Sequence, residues 1–283
     1  MKIVDLFCGM GSFHTSAKEL DMECVFACDI DPVVRHVYEH NYGMKPHGDI
    51  TCVNMTDIPD HDILCGGFPC QPFSQIGQRK GRNDTRGCLI DYIVAIMRNK
   101  RPKACILENV KGLLSSNGGR DFRNMVAMIE EVGYRVHHKV LRADDYGIPQ
   151  MRQRLFVVCL RDAIGDYKFP SPLESCPSLA VYMGMPFTKK SAFTIRCGGR
   201  HSNITDRRNW DSYYLDDGSV YTLTTKDCLK LQGFNEFTWN WGEVSETRRM
   251  RMLGNTIPTC LTKAVLESVQ HHLCQHEEES RQD

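Results

Sequence analysis

The sequence predicts an α/β fold with a doubly wound, mostly parallel sheet. Short apolar runs of strand length alternate with stretches of helical spacing through the first half of the chain, and glycines directly follow the first run. Such unbroken apolar runs are typical of parallel strands that are buried on both faces. The strand-like runs are Lys2–Phe7, Cys24–Cys28, Ile63–Gly66, Ala104–Leu107 and Leu155–Cys159.

Four stretches between these runs predict helices, and the pattern changes after residue 166. The predicted helices are Ser12–Leu20, Val33–Tyr42 with Pro32 at its start, Leu89–Arg98 and Arg120–Val132. Residues 166–220 are rich in proline, whereas Thr225–Leu231, Glu246–Leu253 and Pro258–Leu273 are helical again. We therefore expect a large domain at 1–165, a small irregular module at 166–225, a return segment at 226–275 that completes the large domain, and a solvated tail at 276–283.

The composition is that of a globular chain whose charges balance. The 283 residues include 35 Lys and Arg against 35 Asp and Glu. No apolar run approaches the roughly 20 residues that a membrane helix needs, and Asp5 stands where the core of a signal peptide would begin. Fourteen cysteines are scattered without a Cys-x-x-Cys pair, which predicts reduced thiols and no metal site. These observations favour a cytoplasmic protein with no membrane partner.

Glycines after the first strand indicate a cofactor site. Gly9 and Gly11 allow a ligand to approach the backbone at the carboxyl edge of the sheet, where doubly wound folds bind nucleotides. Asp29 ends the second strand, twenty residues beyond Gly9, where a carboxylate can accept hydrogen bonds from ribose hydroxyls. A complete G-x-G-x-x-G is missing, so a dinucleotide site is disfavoured. The pattern favours a cofactor that contains adenosine.

Cys70 is the cysteine whose sequence context points to chemistry. It follows the strand-like run Ile63–Gly66 and is flanked by Pro69 and Pro72, a poor context for an apolar filler and a good one for a fixed nucleophile. A free thiol has a pKa of about 8.5, so a nearby cation is needed to favour the thiolate.

A carboxyl and two guanidinium groups are expected near this thiol. Glu108 ends the strand-like run Ala104–Leu107, where desolvation can raise its pKa and make it a proton donor. Arg152 and Arg154 precede the run Leu155–Cys159, and strand alternation places both on one face. Each feature alone also fits a solvated strand end, but together they predict an active site.

These blocks together resemble the cytosine-C5 DNA methyltransferases of the bacterial modification-methylase type. The resemblance runs from Asp5 to about Cys260 and rests on blocks in the family's order: Gly-Phe-Pro-Cys-Gln-Pro-Phe-Ser at 67–74, Glu-Asn-Val at 108–110, Gln-x-Arg-x-Arg at 150–154 and Gly-Asn-Thr-Ile-Pro at 254–258. It implies a class I methyltransferase fold and S-adenosylmethionine as the cofactor.

The resemblance also implies a reaction and its catalytic residues. Cys70 would add to C6 of a cytosine that is turned out of double-stranded DNA, because a stacked base cannot offer C5 and C6 to a thiol. Glu108 would donate to N3, and Arg154 with Arg152 beside it would hold O2 and favour the thiolate. No metal takes part.

Further residues are implied to hold the cofactor and the DNA. The cofactor set comprises Phe7, Gly9, Gly11, Ser12, Asp29, Ile30, Asp49, Ile50, Pro69, Leu89 and Asn255. The DNA set comprises Ser74, Arg79, Lys80 and Arg86 on a mobile loop at 71–86, and Arg196, Arg200, Arg207 and Arg208 in the module, which would recognise the target. We expect a monomer, with a cognate restriction endonuclease as a partner that would act separately.

Four positions depart from the commoner family pattern. Asp29 stands where Glu is usual, Ile30 where an aromatic residue is frequent and Cys88 where Thr is frequent. Tyr221 stands where an Arg commonly braces the module. None of these departures affects the four catalytic positions.

The sequence leaves three alternative functions to be distinguished. A tRNA cytosine-C5 methyltransferase uses the same framework but typically has Pro-Pro-Cys where this chain has Phe68-Pro69-Cys70. A catalytically silent DNA-binding regulator is disfavoured by the intact catalytic set. A nucleotide-dependent oxidoreductase is disfavoured by the incomplete glycine fingerprint.

Overall fold

The computed structural model describes residues 1–68, 89–161 and 167–279. A six-stranded sheet has the order β2-β1-β3-β4-β6-β5. Strands β1 to β4 pair in parallel, and β6 pairs antiparallel with both of its neighbours, which confirms the mostly parallel sheet. Its strands are β1 (Lys2–Leu6), β2 (Glu23–Cys28), β3 (Ile63–Gly67), β4 (Ala104–Asn109), β5 (Tyr134–Arg142) and β6 (Gln153–Arg161).

Helices cover both faces of this sheet. Cys105 and Leu107 of β4 join the apolar cluster beneath α3 and α4, and Ala104 and Ile106 join the cluster beneath α1 and α8. This alternation follows from the strand geometry, because successive side chains point to opposite faces. The helices are α1 (Ser12–Glu19), α2 (Pro32–Tyr42), α3 (Leu89–Lys100), α4 (Arg120–Glu131), α5 (Leu179–Met183), α6 (Thr225–Leu231), α7 (Glu246–Asn255) and α8 (Thr259–Glu279).

Strand β5 is absent from the sequence prediction. It lies at the edge of the sheet and pairs with β6 along its whole length. Polar side chains such as Arg135, His138 and Lys139 break up its apolar pattern. An edge strand with one partner tolerates these residues, so apolar periodicity gives a weak signal for it.

The segment 167–224 forms a compact irregular unit. Its regular elements are α5 and a two-stranded antiparallel hairpin, β7 (Ser212–Tyr214) and β8 (Val220–Thr222). The buried Trp210 lies in an apolar cluster that also includes residues of α2, α6 and α7. We call this unit the recognition module after the role that the sequence resemblance implies; that role and the domain boundaries stay predictions.

The last helix packs against the first. The Ser16 hydroxyl of α1 lies 2.7 Å from the Thr262 hydroxyl of α8, and the Ser12 hydroxyl donates to the carbonyl of Ile257 at 2.6 Å. The chain therefore returns to the large sheet after the recognition module.

The cysteines of the described ranges are free. Twelve of them are described, and seven of these are buried, which fits their use as small apolar residues. Across the same ranges, no helix combines the length and apolar character of a membrane span. The described His, Cys, Asp and Glu side chains form no cluster that could hold a metal ion.

Substitution of Gly254 provides a test of the contact between the recognition module and α7. A Cβ at this position would overlap backbone atoms of Arg196 and Cys197. We expect Gly254→Ala to lower the free energy of unfolding by about 1–3 kcal/mol, although alanine is the better residue for a helix. Urea denaturation measures the change.

The matched control is Gly198→Ala, because its Cβ would meet no atom within 4 Å. Equal midpoints for the two variants would show that the module does not lie against Gly254.

Candidate active site

The reversed direction of β6 assembles the predicted catalytic groups. Strands β3 and β4 end at the carboxyl edge of the sheet, and β6 begins there because it runs antiparallel to β4. In this register Gly67 lies beside Glu108, and Glu108 lies beside Phe156. The sequence run Leu155–Cys159 was included among those typical of parallel strands, and the structure corrects this, because β6 is antiparallel to both of its neighbours. A parallel β6 would place Arg154 at the opposite edge.

Glu108 and Arg154 form an ion pair at this edge. Arg154 Nε lies 2.7 Å from Glu108 Oε1, and the two side chains are 15% and 9% exposed. The second oxygen, Oε2, lies over Gly67, where a Cβ would be 3.0 Å away. One carboxyl oxygen is therefore held by a cation, and the other lies at the end of β3.

Burial and charge act on Glu108 in opposite directions. Burial raises the pKa of its carboxyl, and the charges of Arg154 and Arg152 oppose this rise. The direction agrees with the expectation that desolvation makes Glu108 a proton donor. The protonated and ionised forms are thereby brought closer in free energy at neutral pH.

Arg152 has a different environment from Arg154. Only 1% of it is exposed. Its Nη1 donates to the carbonyl of Ile195 at 2.8 Å, and its Nη2 donates to the carbonyl of Gly254 at 2.8 Å. Both terminal nitrogens are thus bound to backbone, which differs from the expected contact with the base.

The start of the segment that carries Cys70 is held beside Glu108. The side chain of Asn109 donates to the carbonyl of Phe68 at 3.0 Å, the last described residue before the gap. Several predicted site residues lie outside the described residues: Pro69, Cys70, Ser74, Arg79, Lys80 and Arg86, together with the predicted loop at 71–86.

The predicted cofactor residues of the glycine loop and of β2 come together. The backbone N–H of Gly9 donates to Asp29 Oδ2 at 3.0 Å, and the N–H of Asp31 donates to Asp29 Oδ1 at 2.9 Å. Phe7 and Gly9 both have positive φ angles of 54°, so the chain turns sharply here. The two residues that lie twenty positions apart, Gly9 and Asp29, are therefore in direct hydrogen-bond contact.

The other predicted cofactor residues surround the same end of the sheet. Phe7, Ile50 and Leu89 border one apolar cluster, and Asp49 accepts from the N–H of Thr51 at 2.9 Å. Ile30 is 70% exposed and can cover a ring. The remaining members are Gly11 and Ser12, which are buried at the start of α1, and Asn255, which is exposed at the end of α7.

Asp5 is a buried acidic residue that the sequence prediction did not include. It is 1% exposed, and its Oδ2 has no hydrogen-bond partner among the described residues. Burial raises its pKa well above the usual range, the charge of Asp29 adds to the rise, and a bond from the His14 backbone opposes it. An acidic residue inside an apolar strand was the available signal.

The four predicted arginines of the recognition module have different surroundings. Arg200 lies inside the module, donating to the carbonyl of Leu223 at 2.8 Å and lying 3.5 Å from Asp211 Oδ2. Arg208 is exposed but paired with Asp206 at 2.7 Å. Arg196 and Arg207 are exposed. Arg200 therefore has a bracing position rather than the expected free guanidinium.

Tyr221 takes part in the same bracing. Its hydroxyl donates to Asp227 Oδ2 at 2.8 Å, and its ring lies edge-on to Phe187. Asp227 also accepts from the backbone and the side chain of Thr224 in the capping box of α6. The tyrosine thus links the module hairpin to the first return helix in place of the commoner arginine.

Comparison with known proteins identifies the family. The model described as C-5 cytosine-specific DNA methylase matches residues 1–180. The type II methyltransferase M.NgoBI of Neisseria gonorrhoeae is 45% identical over 292 residues, which cover 93% of this chain and 91% of that protein. M.NlaX of Neisseria lactamica is 44% identical over 305 residues, which cover 95% and 96%. The match to M.HhaI of Haemophilus parahaemolyticus is 44% over 62% of this chain and spans 54% of that protein.

Solved structures share the fold at low sequence identity. Dnmt2 methyltransferase of S. pombe superposes with a TM-score of 0.72 at 20% identity, covering 95% of this chain and 98% of that one. A mutant of Spodoptera frugiperda DNMT2 gives 0.74 at 20% identity, covering 95% and 99%.

The fold is that of the class I methyltransferases, whose chemistry depends on S-adenosylmethionine. Within that class the chain belongs to the C-5 cytosine-specific DNA methylase family, and its activity is methylation of cytosine C5 in DNA. The predicted family, fold class and activity are confirmed.

The ion pair predicts how the ionisation of Glu108 depends on its partner. Arg154→Met removes the cation that lowers the pKa of Glu108, so we expect this pKa to rise further. Carbon-13 NMR titration of the Glu108 carboxyl measures it. Because the folded pKa is raised above the unfolded one, the free energy of unfolding falls as pH rises between the two values.

Arg142→Met is the control, since Arg142 pairs with Asp144 at 2.5 Å and should leave the Glu108 titration unchanged. A Glu108 pKa that is equal or lower in Arg154→Met would contradict the pairing.

Proposed function

We propose that this chain transfers a methyl group from S-adenosylmethionine to C5 of a cytosine turned out of duplex DNA, through a covalent adduct on Cys70. The observation that carries the proposal is the buried Glu108–Arg154 pair beside the residue that leads into the Cys70 segment. A proton donor and a fixed cation at this edge support a reaction in which a pyrimidine ring meets the thiol there.

Glu108 and Arg154 act on the polar edge of the base. The protonated carboxyl of Glu108 donates to N3 through the oxygen that Arg154 does not hold, and Arg154 donates to O2. Both contacts strengthen as negative charge develops on the ring, which lowers the barrier of the addition. The raised pKa of Glu108 supports the role of donor.

Cys70 forms and later breaks one covalent bond. The thiolate adds to C6, and the electron pair of the C5–C6 double bond moves to C5, which takes the methyl group. Loss of the C5 proton to a base then restores the double bond and expels the thiolate. The nearby charge of Arg154 favours the ionised thiol before attack.

The cofactor site fits an adenosyl group on its hydrogen-bonding pattern. Asp29 holds two backbone N–H groups and keeps lone pairs for ribose hydroxyls. Phe7 and Ile50 would flank the adenine, Gly9 and Gly11 would leave room for the methionine part, and Asn255 would close the pocket with Leu89 and Pro69. S-Adenosylmethionine, when bound, supplies the electrophilic methyl group.

DNA binding would combine phosphate contacts and base contacts. Extruding the target nucleotide costs a few kcal/mol, which contacts along the duplex must supply. Arg196 and Arg207 are the exposed module arginines without a partner among the described side chains, and they are the better candidates for reading guanine edges. Arg200 and Arg208 are engaged within the module.

The wider assignments rest on sequence. The monomeric state, the absence of a metal requirement, the cytoplasmic location and a separately acting restriction endonuclease stay predictions. Bisulfite sequencing of DNA from cells that express the protein would give the target site, which the module sets.

Cys70→Ala should abolish methyl transfer while leaving cofactor binding largely unchanged, because the variant lacks the nucleophile but keeps the adenosyl pocket. Tritium transfer to duplex DNA and calorimetry with S-adenosylhomocysteine measure the two properties. A duplex with 5-fluorocytosine should trap an adduct of wild-type protein, since fluorine cannot leave as a proton does.

Cys274→Ala is the matched control, because this thiol is exposed on α8 and should keep full activity. Substantial turnover by Cys70→Ala would refute the nucleophile. Methylation of tRNA with none of duplex DNA would favour the RNA alternative.

A further inference from the structure

Three buried polar side chains lie where the residues before β6 meet the recognition module. Gln150 and Gln232 are 0% exposed and Arg152 is 1% exposed. We call them the polar junction. Burying such groups costs free energy unless each is hydrogen-bonded, so their partners show which parts of the chain they hold together.

Gln150 holds the module to the end of α6. Its Oε1 accepts from the N–H of Ile195 at 3.3 Å, and its Nε2 donates to the carbonyl of Leu231 at 2.8 Å. The backbone agrees with this arrangement, because the N–H of Met151 donates to the carbonyl of Ala192 at 2.8 Å. The residues before β6 thus run alongside residues 192–195.

Arg152 and Gln232 extend these contacts to the end of α7 and the start of α8. Arg152 joins the carbonyls of Ile195 and Gly254, as described above. The side chain of Gln232 donates through Nε2 to the carbonyl of Leu253 at 2.6 Å. The backbone carbonyl of Gln232 accepts from the N–H of Thr259 at 2.9 Å. Both polar backbone groups of Ile195 are therefore held by the junction.

We propose that Gln150, Arg152 and Gln232 are positioning residues that set the recognition module relative to the Glu108–Arg154 pair, and so contribute to target-site discrimination. The inference rests on the proposed function. Ile195 directly precedes the exposed Arg196, and Arg152 lies two residues before Arg154. The junction therefore connects a candidate base-reading residue to the catalytic pair over a few residues in each direction.

The proposal assigns Arg152 a role without contact to the base. Its two terminal nitrogens reach two carbonyls in different segments, which needs the planar fork of a guanidinium. A lysine would keep the charge but could not bind both carbonyls in the same way. If Arg152 acts as a clamp that binds both carbonyls, Arg152→Lys should lose discrimination. If only its positive charge matters, the lysine variant should behave as the wild type.

Loosening the junction should reduce discrimination as well as rate. A misplacement of about 1 Å can cost a factor of about 100 in rate. A module that is no longer fixed against the catalytic pair would dock correct and incorrect sites with more similar geometry. Cofactor binding should not change, because no junction side chain belongs to the predicted adenosyl pocket.

The test compares Gln150→Leu, Gln232→Leu and Arg152→Lys with the wild type. The readouts are kcat and KM on the duplex that bisulfite sequencing identifies and on duplexes with one base pair changed, together with affinity for S-adenosylhomocysteine. We expect the ratio of kcat/KM between correct and changed sites to fall by about tenfold or more in each variant, with cofactor affinity retained.

The control is Tyr134→Phe, which removes a buried hydrogen bond to the carbonyl of Pro102 (2.8 Å). This bond lies just before β4 begins, at the end of that strand opposite Glu108. It should lower the melting temperature without changing discrimination. Junction variants that melt earlier but keep both the wild-type KM and the site ratio would show a purely stabilising role and overturn the proposal. An Arg152→Lys variant that behaves as wild type would overturn the clamp.

The glutamine variants keep the test decisive if Arg152→Lys does not fold. A wild-type protein that methylates no cytosine in any duplex would refute the proposed function instead, and this result is distinct from active variants with unchanged discrimination.

Discussion

The ion pair between Glu108 and Arg154 is the interaction on which the site depends. A carboxyl this well buried would be held in its neutral form by desolvation alone, and a guanidinium this well buried would be costly without a partner. Burial raises the pKa of Glu108, and the charge of Arg154 opposes that rise. A proton donor that also tolerates ionisation is what a base-activating reaction needs near neutral pH.

The pair can form because β6 is antiparallel to the neighbouring strand β4. Parallel strands bring their carboxyl ends to one edge, so Gly67 and Glu108 meet as neighbours. Arg154 is the second residue of β6, and it reaches the same edge because β6 is antiparallel to β4. The reversal also places the residues before β6 against the recognition module, so Arg154 of the ion pair and Gln150 and Arg152 of the polar junction lie in one short stretch of chain.

The recognition module is held by polar contacts as well as by its apolar core. Trp210 is buried in that core. At its periphery Arg200 pairs with Asp211, and Tyr221 donates to Asp227. Such contacts favour one arrangement, because breaking them would leave partly buried polar groups without their partners. The small unit can therefore keep a defined orientation with two three-residue strands and one short helix.

The sequence by itself determined the parts that local patterns encode. Apolar runs and helical spacing located five strands and most helices, and the ordered blocks around Cys70, Glu108, Arg154 and Asn255 identified the chemistry. Tertiary structure decided what depends on contacts between distant residues. It set the direction of β6, added the polar edge strand β5, gave Arg152 and Arg154 different partners and turned Arg200 inward. The partners of Arg152, and of β6 in β4, lie more than forty residues away in the chain, and those of β5 and Arg200 lie eleven or more away. No local pattern records which partner a side chain will meet.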